Sequence, residues 1–186
     1  MNTIRMLNTY EQVKYGDHLL RLNADDRYLR FGSMVDDAFI IKHATIKHDS
    51  GRMVLAAFDE DQNVIAACEI CLLGKYYLFN VDEAEIGLSV EKEHRGRRLG
   101  TMLFEHAMVV CRNRRVKVLK SYCLTRNGFM MKIAKAHNMQ IVNEYGDSEA
   151  TLELEKADVL SYFVELVGES MALADEYTSI IRKTWF

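Results

Sequence analysis

With 186 residues, 49% of them apolar and 27% charged, the chain is long enough to bury close to ~70% of its unfolded surface, which suits one soluble domain with a real core. No run approaches the ~18 consecutive apolar residues of a membrane helix. The opening MNTIRMLNTYEQVKYGD also lacks the basic, apolar and small-residue parts of a secretory leader, so a cytoplasmic location without a membrane partner is expected. The net charge of −3 hides an asymmetry, because Lys92 to Lys120 holds nine basic and two acidic residues, a local +7, against −10 elsewhere.

In chain order, YEQVKYGDHLLRL (10–22) and SMVDDAFIIKHATIK (33–47) have helical spacing. Residues 53–58 and 64–73 read as two strands joined by the polar turn Asp59 to Asn63, a hairpin. AEIGLSVE (84–91) is a further strand, followed from Leu99 to Arg112 by a helix with Leu103, Ala107 and Val110 on one side. VKVLKSYCL (116–124) is a strand, NGFMMKIAKAHN (127–138) a helix, and MQIVNEY and EATLELE form a last strand pair around Gly146 and Asp147. This mixed order with crossovers predicts an α/β sheet with helices on both faces. Residues 156–186 carry an amphipathic stripe, Val159, Phe163, Leu166, Val167, Met171, Ala174, Tyr177 and Ile181. That stripe predicts a helical extension of a domain spanning 1–155, packed on the domain or on a second copy of the chain as a homodimer.

Cys68 and Cys71 form a CxxC, yet the stretch VIAACEICLL reads as a strand, on which residues three apart face opposite sides. Core thiols are the expected reading for all four cysteines. No second CxxC and no HExxH accompany them, so no metal is expected.

The basic segment includes a glycine-punctuated junction between strand and helix, SVEKEHRGRRLGTML. A helix N-terminus leaves four backbone N–H groups unpaired and carries about half a positive charge, so it binds phosphate without help from side chains. Arg95, Gly96, Arg97, Arg98, Leu99 and Gly100 add two glycines for close backbone approach and guanidinium groups at the mouth, which suits a pyrophosphate. A nucleic acid fits less well: the segment has no interleaved aromatics and the remaining surface is acidic.

"AEIGLSVEKEHRGRRLGTML" resembles the signature of the GNAT superfamily of acetyl-CoA-dependent N-acetyltransferases: Gln or Arg, two residues, Gly, one residue, Gly or Ala. Arg95 takes the first position and Gly100 the last, while Arg98 stands where the first motif glycine is usual. The order of elements is similar to the family's from about residue 3 to 155. RNGFMMKIAKAHNMQIV resembles its later helix, with Asn127 where a cofactor-contacting asparagine is common, and Arg27 to Phe31 is similar to a stretch after the first helix of some members.

The resemblance implies a mixed, mostly antiparallel sheet with a splayed central strand pair. Strand 84–91 would leave its neighbour 116–124, freeing the backbone of Leu88, Ser89 and Val90 for the pantetheine arm of acetyl-CoA. The turn from Arg95 through Thr101 would hold the pyrophosphate, and the Val90 amide would polarise the thioester carbonyl. The acceptor would be an amine attacking directly in a ternary complex. An ammonium must first lose a proton, and Glu85, on one strand face with Gly87 and Ser89, is the expected base. The family's tyrosine acid is replaced by Ala134, so Tyr122, Tyr145 or water stands in. Acids at Asp25, Asp26, Asp36, Asp37, Glu144, Asp147 and Glu149 would draw a cationic acceptor. The alternatives are a CoA-binding sensor without turnover and an interaction module built on the C-terminal helix.

Overall fold

The computed structural model describes residues 3–45, 51–75 and 80–158, together with 162, 163, 165–167 and 170. Strand β1 (Thr3–Met6) leads through a tight turn at Thr9–Glu11 into α1 (Gln12–Arg21), α2 (Ala24–Phe31) and α3 (Asp37–Ala44). Three strands follow, β2 (Arg52–Phe58), β3 (Val64–Lys75) and β4 (Asn80–Val90), then α4 (Leu99–Asn113), β5 (Val118–Leu124), α5 (Gly128–Ala136), β6 (Gln140–Glu144) and β7 (Asp147–Glu153).

Short polar side chains set the helix starts. Asn8 accepts from the Tyr10 and Glu11 amides while the Glu11 carboxylate accepts from the Asn8 amide, a reciprocal cap that turns the chain into α1. Asn23 caps α2, whose end is made by Gly32 in the left-handed region, and Asp36 caps α3 by accepting from Phe39 N at 2.8 Å. At the other end of the chain Tyr145 and Gly146, both with positive φ, form the two-residue turn between β6 and β7.

The seven strands lie in the order β1-β2-β3-β4-β5-β7-β6, antiparallel throughout except for the parallel pair β4 and β5. Alternation along β2 and β3 divides the core. Leu55, Cys68 and Ile70 face α4 and α5, where Leu103, Phe104, Met130 and Ile133 meet them. Val54, Ala56 and Ala67 face the other way, against Tyr15 and Leu19 of α1 and Ile40 of α3. Helices therefore cover both faces, as expected. Cys68 and Cys71 fall on opposite faces, and all four cysteines are unbridged, with Cys71 and Cys123 half-buried rather than in the core.

Two elements escaped the sequence reading. Strand β1 has the unpromising sequence TIRM, and it is held in place by Arg5, which is buried and ion-paired to Glu11 at 2.6 Å. Helix α2 is only eight residues long, four of them charged, and none is fully buried, so little in the sequence marks it as a separate helix. The helix expected over 33–47 is confined to Asp37–Ala44, because Asp36 is its cap, and β4 starts at Asn80 rather than at 84. Among the described residues no helix is long and apolar enough to cross a membrane.

Most of the apolar stripe expected beyond residue 156 lies outside the described residues. Of its members that are described, Phe163, Leu166 and Val167 are exposed. Polar contacts tie this segment to the end of α4: Tyr162 Oη donates to Asn113 O at 3.2 Å and Arg114 pairs with Glu165 at 2.9 Å.

Burial opposes the charge on Glu11, but hydrogen bonds from Arg5 and Lys14 outweigh it and hold the carboxyl pKa at about 2, below the ordinary 4.5. A carboxylate depressed in this way contributes stability above its unfolded pKa and loses it as pH falls through the folded one. Glu11→Gln should be less stable than the wild type at pH 7, and the gap should close as pH falls from 4.5 towards 2, as read by chemical denaturation across that window.

Candidate active site

Strand β4 is bonded on both edges only at its start. Its register with β5 covers Glu83–Val118, Ala84–Leu119 and Glu85–Lys120 and then stops, while its pairing with β3 continues to Val90–Ala66. Both backbone groups of one residue point to the same edge of an antiparallel strand. Glu91 N reaches back to Ile65 O of β3, so odd residues face β3. Even residues face the gap: Ile86 O accepts from Ser121 Oγ at 3.3 Å and Val90 O from Arg95 Nε at 3.2 Å. The backbone of Leu88 and the amide of Val90 therefore point into a fork between β4 and β5. A cavity of about 130 Å³ opens there, walled by Leu29 and Arg30 of α2, Leu88, Ser89 and Val90 of β4, and Asn127 and Phe129 beside α5. A larger cavity, about 700 Å³, lies at the opposite end of α4, and no fork residue lines it.

Beyond Val90 the chain makes one turn at Lys92–His94 and enters α4 through the basic loop. Arg98, at the helix N-cap, has φ +60° and offers no side-chain bond to the first-turn amides. This is the conformation glycine adopts most easily, and in Arg98 it carries a steric cost of roughly 1–2 kcal/mol. Arg95, Arg97 and Arg98 are exposed, Leu99 and Gly100 buried, and Thr101 half-buried. The Phe129 ring lies so close over Gly100 that a Cβ there would fall inside it. Asn127 accepts from Met130 N at 3.1 Å to cap α5, and its amide reaches Leu29 O at 3.5 Å.

On the face of α1 to α3 the cross-strand registers place Glu85, Gly87 and Ser89 of β4 beside Lys120 and Tyr122 of β5 and Glu149 of β7. Glu85 is half-buried at the last paired position before the fork. Tyr122 donates its hydroxyl to Glu149 at 3.2 Å, and burial followed by the Glu149 charge pushes its pKa up, which keeps the phenol protonated and its hydrogen committed to Glu149. Next to them Glu69 of β3 gathers Arg30, Arg52, His43 at 2.9 Å and the Tyr15 hydroxyl at 3.2 Å. Burial opposes its charge, yet these donors keep its carboxyl well below the usual range. The Arg30 guanidinium lies flat on Gly87, where any Cβ would collide with it.

Several expectations change in three dimensions. The +7 segment is not one patch, because α4, fifteen residues and about 22 Å long, separates its ends. At the far end Arg114, Lys117 and Lys120 pair with Glu165, Asp82 and Glu83. Asp26, which lines the cavity, and Asp37 are ion-paired to Arg95 at 2.6 Å and Arg27 at 2.7 Å, and Asp36 caps α3, so these three acids are engaged within the protein. Tyr145 is fully exposed at a hairpin tip, and Ala134 is in the core. The ion cluster at Glu69 went unread, although a lone glutamate inside VIAACEICLL is the mark of a buried, paired charge. Among the described residues, no group of three or more His, Cys, Asp or Glu is placed to hold a metal ion.

A splayed strand pair, an uncapped helix start and a basic loop define a coenzyme A-dependent acyltransferase class of site. The sequence profile of the Acetyltransferase (GNAT) family matches residues 17–135, and the chain belongs to that family as an acetyl-CoA-dependent acetyltransferase. No curated protein matches it significantly. Among solved structures it is similar to the GNAT domain of S. lividans PAT, at 20% identity over 81% of this chain and 89% of that one, with a TM-score of 0.69. It is also similar to yncA from Salmonella typhimurium, solved with its cofactor acetyl-CoA, at 16% identity over 86% and 97% of the two chains and a TM-score of 0.61. Ribosomal-protein-alanine N-acetyltransferase from Brucella melitensis aligns at 17% identity over 81% and 99%, with a TM-score of 0.59. The fork and the loop fit acetyl-CoA: Leu88 and Val90 offer an open strand edge, and no side chain caps the first turn of α4.

Gly100→Glu should weaken acetyl-CoA binding at least ~10-fold by calorimetry, since it both displaces Phe129 and puts an acid where one charge-assisted contact is worth about 1.5–3 kcal/mol. Arg98→Gly should relieve the left-handed strain, offset in part by the ~0.4–1 kcal/mol that glycine's unfolded-state freedom costs, and raise the melting temperature.

Proposed function

We propose that the protein moves the acetyl group of acetyl-CoA to a primary amine of a cationic acceptor, by direct attack in a ternary complex, with Glu85 as the base. The observation that carries this reading is the position of Glu85, at the last paired residue before β4 leaves β5, on the strand face that also bears Gly87 and Ser89. An ammonium entering the fork from that face meets Glu85 and the Tyr122–Glu149 pair. Glu85 accepts the first proton, and the neutral amine attacks the thioester carbon. The Val90 amide donates to the carbonyl oxygen as charge builds on it. Leu88 and Val90 pair with the pantetheine arm through their backbone. The Ser89 backbone belongs to the β3 edge, so it does not pair with the arm, and its hydroxyl meets α1 instead. The amides of Leu99, Gly100 and Thr101 and the guanidinium groups of Arg95, Arg97 and Arg98, with Gly96 allowing close approach, receive the pyrophosphate. Asn127 closes the fork on the α5 side.

Glu85→Gln keeps the shape and removes the acceptor, so kcat at pH 7 should fall by ~10²–10⁴. The deficit should shrink as pH rises towards the amine's own pKa of ~10.4, where the acceptor arrives deprotonated. Steady-state kinetics of wild type and variant from pH 6.5 to 10, with calorimetry showing unchanged acetyl-CoA affinity, test this. Near-normal turnover of the variant at pH 7 assigns the base elsewhere.

A further inference from the structure

Beneath the cofactor strand lies a set of polar groups that the reading above leaves unused. His18 of α1 is 0% exposed, with Nδ1 2.9 Å from Glu91 Oε1 and Nε2 2.8 Å from Ser89 Oγ. Glu91 is held in turn by Arg21, through Nε at 3.1 Å and Nη2 at 2.9 Å. An ionised carboxylate only accepts, so Nδ1 carries the ring hydrogen and Nε2 is left with a lone pair. The Ser89 hydroxyl then donates to Nε2. Serine, imidazole and carboxylate thus stand in the order that moves a proton off a hydroxyl in enzymes that use one.

Ser89, though only 7% exposed, is part of the cavity wall, between Leu88 and Val90, whose backbone turns into the fork. The transfer also lacks an acid. Ala134 is a core residue, Tyr145 is out at the hairpin tip, and Tyr122 is tied to Glu149. Resting on the acetyl-transfer reading, we propose that Ser89, His18 and Glu91 form a proton shuttle from the attacking nitrogen to the departing sulfur.

Glu85 has taken the first ammonium proton, and the nitrogen has bonded to the thioester carbon, leaving a second N–H proton acidic. That proton passes to Ser89 Oγ while the serine's own proton moves to His18 Nε2. The imidazolium is held by the Glu91 carboxylate. As the C–S bond breaks, the chain runs backwards: His18 returns its proton to Ser89, whose hydroxyl proton goes to the sulfur. Amide and thiol result, and no oxidant or further reactant is needed.

The surroundings suit a group that must be free of a proton at rest. Facing the ring are Tyr15 and Arg21 from α1, with the Tyr15 ring stacked at 6.5 Å, Arg30 from α2, Glu69 of β3 behind Tyr15, and Glu91. Burial pushes the imidazole pKa down, more than the Glu91 hydrogen bond pulls it up. His18 is therefore neutral and ready to accept at neutral pH.

The test uses the full chain with acetyl-CoA and four acceptors, spermine, kanamycin, L-lysine and a lysine-containing peptide. Ser89→Ala should lose ~10² or more in kcat while KM and the calorimetric acetyl-CoA affinity hold, and Ser89→Thr, which keeps the hydroxyl, should recover most of the loss. The wild-type kcat should fall on the acid side as His18 becomes protonated, and that limb should be absent in Ser89→Ala. If Ser89→Ala and His18→Gln both turn over within about two-fold of wild type with an unchanged pH profile, the shuttle is overturned and the acetyl-transfer reading stands. Where His18→Gln does not fold, Ser89→Ala alone decides. A Ser89→Ala protein that loses acetyl-CoA affinity or melting temperature as well makes the serine structural and also overturns the shuttle. A wild type that binds no acetyl-CoA and acetylates none of the four amines overturns the parent reading and the shuttle with it.

Discussion

Backbone hydrogen bonding is an obligation, and β4 meets it on one edge only after Glu85. Past that point the even-numbered residues turn their N–H and C=O groups towards β5 without reaching it. The protein closes the ends of the gap with its own groups, Ser121 Oγ on Ile86 O and Arg95 Nε on Val90 O. Between them the Leu88 backbone and the Val90 amide remain for an extended ligand with amide groups of its own. The parallel register is what allows this, since β4 and β5 are joined by the α4 crossover rather than by a hairpin that would keep them together. Every other part of the site is placed relative to that divergence.

On the face covered by α1 to α3, buried ion pairs hold the helices to the sheet. Glu69 binds arginines from α2 and β2 and a histidine from α3, Glu91 binds His18 and Arg21 from α1, and Glu11 binds Arg5 from β1. Such pairs contribute little net stability against a well-packed apolar alternative, because burying each charge has its own cost. Their geometry is specific, however, and a carboxylate stripped of its partners inside the protein is costly. The arrangement fixes how α1 and α2 lie over the cofactor strand. Gly87 is part of this design, because only the missing side chain lets the Arg30 guanidinium lie against β4.

At the start of α4 the constraint is room. Gly100 lets Phe129 and the first turn of α4 approach one another, which joins the loop to α5. Arg98 stands where the family's glycine is usual, and it adopts φ +60°, a left-handed shape that costs an arginine local strain.

The sequence alone was enough for whatever rests on local spacing. Alternation in VIAACEICLL and AEIGLSVE, the strand-to-helix junction at Arg95 to Gly100 and the helix over 127–138 were legible because strand faces, helix starts and tight turns are set by neighbours a few residues apart. Four-residue β1 and the short, charged α2 were not, since their places depend on Arg5 and Arg30 finding carboxylates elsewhere in the chain. The basic segment shows the same limit: adjacent in sequence, its charges are divided by the length of α4. Which acids near the fork are free, and which are taken by arginines, depends on the packing of α2 against the loop. Ser89 and Glu91 are near neighbours at the end of β4, but His18 of α1 lies 71 and 73 residues from them in the chain and meets them only when the helix docks on the sheet. A proton path is a matter of distances of about 3 Å, and contacts between distant segments at that scale are created by tertiary packing.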